Sequence, residues 1–153
     1  MNNTSKRTFL KIIATSSITL YYLWLSKVMA AWPEQLFNTK SSENTTDLLT
    51  GDKSAQASDK IKIKAPEIAE NGAVVPVSVD IDLPDIKTIS ILVDKNPSPL
   101  TSVFHLTDQL LPYVSTRVKM AETSQVIALA ENHQGEFFSA TRSIKVTIGG
   151  CGG

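Results

Sequence analysis

Cys151 is the only cysteine in this 153-residue chain, and it sits between two glycine pairs in Gly149-Gly150-Cys151-Gly152-Gly153. Four of the seven glycines fall in these five positions, which makes the segment's backbone its defining property. Glycine loses more freedom on ordering than any other residue, so a flexible C-terminal tail is expected, ordered only when something binds it. Apart from the thiol it has no side chains, so it is thin enough for a narrow channel. Fully extended, five residues reach about 16 Å. No adjacent residue is cationic, and ordinary thiol reactivity is expected. A thiol that moves but is not activated suits a carrier: the enzyme that receives it supplies base, metal or redox centre. A catalytic nucleophile would need a fixed base and an oxyanion site within hydrogen-bond reach.

Other chemistries compete for the same residues. Cys151 as an inert residue on a frayed end is one reading, although an exposed free thiol is unusual in an oxidising compartment. A second is a structural or adhesive β-sandwich whose tail cysteine makes an intermolecular disulfide, a common fate for an odd cysteine in an exported protein. A third rests on Gly152-Gly153: carriers of ubiquitin-like fold hold sulfur as a thiocarboxylate on a terminal Gly-Gly. That chemistry needs ATP-dependent adenylation and a strand pattern with a central helix. No metal site is expected, because His105 and His133 lie far from the tail in sequence. No haem-attachment signature is present, since glycine follows Cys151.

The other end of the chain reads as an export signal over residues 1–30. Lys6, Arg7 and Lys11 precede the uncharged run Ile12 to Leu25, and Val28-Met29-Ala30 offers small and aliphatic side chains for cleavage after Ala30. The run is shorter than the ~20 residues of a membrane-spanning helix. Ser5-Lys6-Arg7-Thr8-Phe9-Leu10-Lys11 is similar to a twin-arginine export motif, with Lys6 in the place of the first arginine. Removing residues 1–30 takes away four basic residues and no acidic ones, so the formal charge falls from zero to −4. That balance argues against nucleic acid, whose phosphates need clustered Lys and Arg. A periplasmic protein with no membrane association after cleavage is expected.

The elements that must position the tail follow from periodicity. Residues 31–58 form a polar segment with two short helices, one opening at Trp32-Pro33-Glu34-Gln35-Leu36-Phe37 and one over Asn44 to Thr50, stopped by Gly51. From residue 59 the period becomes two. Lys60-Ile61-Lys62-Ile63-Lys64 alternates charge and isoleucine, and Val75, Val77, Val79 and Ile81 share one side of the next run. Asn71-Gly72 reads as the turn between these runs, and Pro76 argues for an edge strand or an interrupted ladder. Further strands are expected at Ile89 to Val93, Ser102 to Leu106, Tyr113 to Ala121, Ser124 to Glu131, Glu136 to Arg142 and Ser143 to Ile148, with a hairpin turn at Asn132-His133-Gln134-Gly135. Seven or eight short strands with no helical period between them point to a mainly β fold. The expected architecture is an antiparallel immunoglobulin-like β-sandwich over residues 59–148, carrying the arm 149–153.

The segment Gly149-Gly150-Cys151-Gly152-Gly153 resembles the signature of the SoxY family, the sulfur-carrying subunits of the thiosulfate-oxidising Sox multienzyme system. Lys64 to Val77, Asp94-Lys95-Asn96-Pro97, Tyr113 to Met120 and Gly135 to Ala140 resemble further family segments in the expected order, and Thr39 to Ser58 departs from the pattern. The resemblance implies that Cys151 is joined oxidatively to thiosulfate by a c-type cytochrome. A periplasmic hydrolase then releases sulfate and leaves sulfane sulfur on the thiol. It also implies a heterodimer with a SoxZ-like subunit, no cofactor besides sulfur intermediates bound covalently to Cys151, and no catalysis by the subunit alone.

Overall fold

The computed structural model describes residues 34–51, 53–107 and 109–148. The export signal 1–30, the Trp32-Pro33 start of the first helix and the tail 149–153 lie outside the described residues.

Among the described residues, two helices come first: α1, Glu34–Asn38, and α2, Ser42–Thr50. Ser41 caps α2 with an extended backbone, its hydroxyl accepting from the Asn44 N–H, and Glu43 places negative charge in the first turn. Gly51 ends the helix in the left-handed conformation at φ 61°, its N–H donating to the Asp47 carbonyl. Among the described residues nine strands follow: β1 Gln56–Ala57, β2 Ile61–Lys64, β3 Ile68–Ala69, β4 Val75–Ile81, β5 Ile86–Val93, β6 Leu100–His105, β7 Tyr113–Val118, β8 Ser124–Asn132 and β9 Phe137–Val146.

The strands form two sheets, one in the order β1-β9-β8-β5-β6, with β3 also on β9, and one in the order β2-β4-β7. The main ladders are antiparallel, as expected of the sandwich. The inward sides meet in one core: Ile61, Ile63, Val75, Val77, Val79 and Ile81 from the smaller sheet face Ile89, Ile91, Val93, Val126, Ala128 and Ile144 from the larger. This is the valine and isoleucine alternation of the sequence, realised as burial of every second residue. Among the described residues no helix lies between Gln56 and Val146, so the ubiquitin-like alternative lacks its central helix.

The structure corrects several sequence expectations. Glu136 to Arg142 and Ser143 to Ile148 form a single strand, β9, in unbroken register with β8 from Phe137 to Ile144. The polar Arg142-Ser143 pair suggests a break because Arg142 faces the interior. It does so at the open side of the sandwich, where its guanidinium Nη1 donates to the Ile63 carbonyl at 3.5 Å. Pro76 lies in the central strand of its sheet rather than at an edge, and the ladder is interrupted there, the other outcome the sequence allowed. β2 pairs with β4 only from Ser78 to Ile81, so at Pro76 the strand has a neighbour on the β7 side alone. Asn71-Gly72 is no hairpin turn, because β3 intervenes between β2 and β4.

The sandwich also starts before residue 59. β1 pairs in parallel with Phe138 and Ser139 of β9, and the helices cover the outer face of the larger sheet. There Leu36, Phe37, Leu49 and Ala55 pack on a second cluster of Leu92, Leu100, Leu129 and Phe137. Ser98 donates to the Phe37 carbonyl at 2.6 Å and Ser42 bonds the Asp94 carboxylate, tying the helices to the β5–β6 turn. β5 is therefore buried on both faces, which explains its nearly continuous apolar run Ile89 to Val93.

A methyl group added at Gly51 meets no atom within 4 Å, so only the backbone conformation opposes a side chain there. Gly51→Ala is expected to cost about 1 kcal/mol, the left-handed penalty, and Gly51→Asn clearly less. Urea denaturation read by circular dichroism checks this. Equal midpoints for the natural and alanine chains would show that α2 does not depend on its glycine stop.

Candidate functional site

Cys151 and the glycines 149, 150, 152 and 153 lie outside the described residues, so the site is described by its root, where β9 leaves the sandwich. Ile144 is fully buried and paired with Ser124, the last register position that β8 offers. Four residues later Ile148 is 68% exposed. Between these points the chain passes from core to surface, and each of its backbone groups needs a new partner once β8 has ended.

A strap from Glu67 to Gly72 supplies most of them. Through β3 it runs parallel to β9, with Ile68 opposite Lys145 and Ala69 opposite Val146. The Lys145 N–H donates to the Glu67 carbonyl at 2.9 Å, and the Thr147 N–H to the Ala69 carbonyl at 3.1 Å. The Thr147 hydroxyl donates to the Glu70 carbonyl at 2.9 Å. Last, the Gly72 N–H donates to the Ile148 carbonyl at 2.8 Å. On the opposite side Thr123 takes over from the finished β8 ladder, its hydroxyl oxygen accepting the Val146 N–H at 2.9 Å.

The strap is itself held. Ala69 is buried in the main core, and the Gly72 carbonyl accepts the Met120 N–H at 2.7 Å. Met120 is fully buried, and Asn96 grips the same loop with its side chain, donating to the Lys119 carbonyl and accepting the Ala121 N–H. Asn71 shapes the strap's end by accepting the Ala73 N–H at 2.8 Å. Three loops therefore converge on the root. Each neutral hydrogen bond contributes about 1 kcal/mol net, so peeling the three backbone bonds at Lys145, Thr147 and Ile148 alone costs on the order of 3 kcal/mol.

Sequence reasoning missed Thr123, Thr147 and the strap as parts of the site. Asn71-Gly72 was the available signal, and its local turn chemistry concealed its role: Gly72 is buried, and it is not among the glycines with positive φ. His105 and His133 are brought to the other end of the sandwich. His105 ends β6 opposite Thr88, and His133 lies in the turn before β9, a strand length of roughly 30 Å from the root. His133 lines a cavity of about 190 Å³ there with Asp85, Thr107 and Pro112. At the start of β7, on the exposed side of the smaller sheet, hydrogen bonds from Ser78 and then Ser115 hold the Tyr113 phenol below its ordinary value. Among the described residues no three His, Cys, Asp or Glu side chains are grouped to hold a metal ion.

The family described as "Sulfur oxidation protein SoxY" matches residues 46–151. Among solved structures, the sulfur carrier protein SoxY from Chlorobium limicola f thiosulfatophilum is similar at 39% identity and a TM-score of 0.63, over 69% of this chain and 96% of that one. A superoxide reductase (neelaredoxin) from Ignicoccus hospitalis aligns at 16% identity and a TM-score of 0.54, over 60% of this chain and 94% of its own. A superoxide reductase-like protein from Thermotoga maritima aligns at 19% and 0.51, over 60% and 93%. These two likenesses show the fold alone. No curated protein matches the chain.

Thr123→Val removes the acceptor of the Val146 N–H without changing side-chain shape. Hydrogen exchange at Val146 is expected to quicken about fivefold, the equivalent of one hydrogen bond, while the urea midpoint stays nearly unchanged. Unaltered exchange at Val146 would mean that Thr123 does not hold the root.

Proposed function

Because the chain belongs to the SoxY family of sulfur oxidation proteins, we propose that it is a periplasmic sulfur carrier whose covalent attachment point is the Cys151 thiol. The observation that carries this reading is the extent of the family match, which runs through the sandwich and reaches residue 151. The fold supports it mechanically. β9 brings the chain to the surface at Ile148, three residues before the thiol, on an anchor held from both sides.

The chemistry is a two-step transfer. Thiosulfate and the Cys151 thiol join through a new S–S bond, releasing one proton and two electrons, which a c-type cytochrome accepts. Water then cleaves the sulfur–sulfonate bond of the conjugate at a separate hydrolase. Sulfate and a proton leave, and sulfane sulfur remains on Cys151 as a persulfide. Neither step draws a base or a metal from the carrier. Gly149, Gly150, Gly152 and Gly153 give the arm its freedom, so the same thiol serves both enzymes in turn. Tethering turns the search for the next enzyme into a local one at high effective concentration. The subunit acts as a non-enzymatic carrier in a heterodimer with a SoxZ-like protein. It reaches the periplasm through the signal in residues 1–30.

Mass spectrometry of the tail peptide tests the attachment after the chain is incubated with thiosulfate and the partner enzymes. Sulfur is expected on Cys151, and Cys151→Ser should carry none while its circular dichroism and partner binding stay unchanged. Label on the Gly153 carboxylate, or loading that survives the serine substitution, would refute the thiol carrier. For export, protein recovered from the periplasm should begin at Ala31. Recovery with Phe9 and Leu10 still attached would contradict cleavage.

A further inference from the structure

The described residues hold the chain at several points where β9 leaves the sandwich. Gly72 holds the Ile148 carbonyl, Ala69 and Glu67 hold the N–H groups of Thr147 and Lys145, and Thr123 holds Val146 from the other side. With these bonds closed, only Gly149, Gly150 and Cys151 extend the thiol beyond the root, a span of about 10 Å. With them open, the next fixed point is the buried Ile144. Seven residues, 145 to 151, would then carry the thiol about 24 Å.

We propose that the Glu67–Gly72 strap, together with Thr123, sets the working depth of the Cys151 thiol by fixing the root of the arm at Ile148. Strap and arm are separate in sequence, so nothing about the glycine tail determines its length by itself. The strap also limits where the thiol wanders. A three-residue tether keeps it over one end of the sandwich, whereas a seven-residue tether reaches the sides. Thr123, Thr147 and Gly72 act through the arm as positioning residues. The functional half of this inference rests on the carrier reading above; the geometric half does not.

The test varies arm length and strap separately in the full mature chain. Deleting Gly149 and Gly150 draws the thiol back about 7 Å. Misplacing a reacting group by an ångström already costs about a hundredfold, so sulfate release from thiosulfate by the partner enzymes should fall at least that far. Ala69→Lys places a charged side chain at a buried strap position and should lift the strap. Thr123→Val with Thr147→Val loosens it more gently, should the lysine variant fail to fold. Combined with the shortened arm, release of the strap is expected to recover at least tenfold in turnover. A residue with a merely structural role would lower turnover further.

A nitroxide on Cys151, the only cysteine, gives the second reading without any partner. Broadening of backbone amide signals should stay near the root in the natural chain and spread along the sandwich when the strap is released. An unchanged broadening pattern, with hydrogen exchange at Val146 showing that the root is free, overturns the strap. Wider reach with no recovery of turnover in the shortened arm overturns its role in setting depth. If the natural chain takes up no sulfur from thiosulfate, the carrier reading fails, and the nitroxide measurement still decides the strap.

Discussion

A ten-residue strand with one neighbour leaves a row of N–H and C=O groups facing outward, and the side of β9 away from β8 is such a row. Its satisfaction organises much of the molecule. Near the start of the strand, Gln56 and Ala57 pair with Phe138 and Ser139, and the Ser58 N–H donates to the Ser139 carbonyl. Near its end the strap covers Lys145 to Ile148. Between these two short parallel pairings Arg142 reaches across to the facing sheet. The same requirement therefore draws in the N-terminal segment at one end and builds the root of the arm at the other.

Burial on two faces is the second organising fact. Ile89, Ile91 and Val93 face the interior between the sheets, while Leu92, with Leu129 of β8, faces the helices. The larger sheet, to which β9 belongs, is thus packed on both faces at β5 and β8. The exposed ion pair Lys95–Glu122, near the root at 3.7 Å, adds little by comparison, since both side chains are more than half exposed.

The body of the fold holds the end of β9 from both sides. Beyond the fully buried Ile144, the N–H groups of Lys145, Val146 and Thr147 and the carbonyl of Ile148 each still have a partner.

The local pattern of the chain already determines much of this. Alternation in Lys60 to Lys64 and Val75 to Ile81 defines which side chains enter the core, because a strand's side chains have a period of two. Ser41 and Gly51 bound α2 through their own backbone and side-chain chemistry, and the glycine-flanked Cys151 marks a candidate reactive end by composition alone. Tertiary structure alone decides the rest. That Leu92 meets helices, that Pro76 falls where β2 has ended, and that Gly72 binds Ile148 all depend on pairings between segments far apart in the chain. The bond from Thr147 to Glu70 spans 77 positions. β3 is two residues long, too short for any period to announce it, and it pairs with the edge of β9 that β8 leaves open.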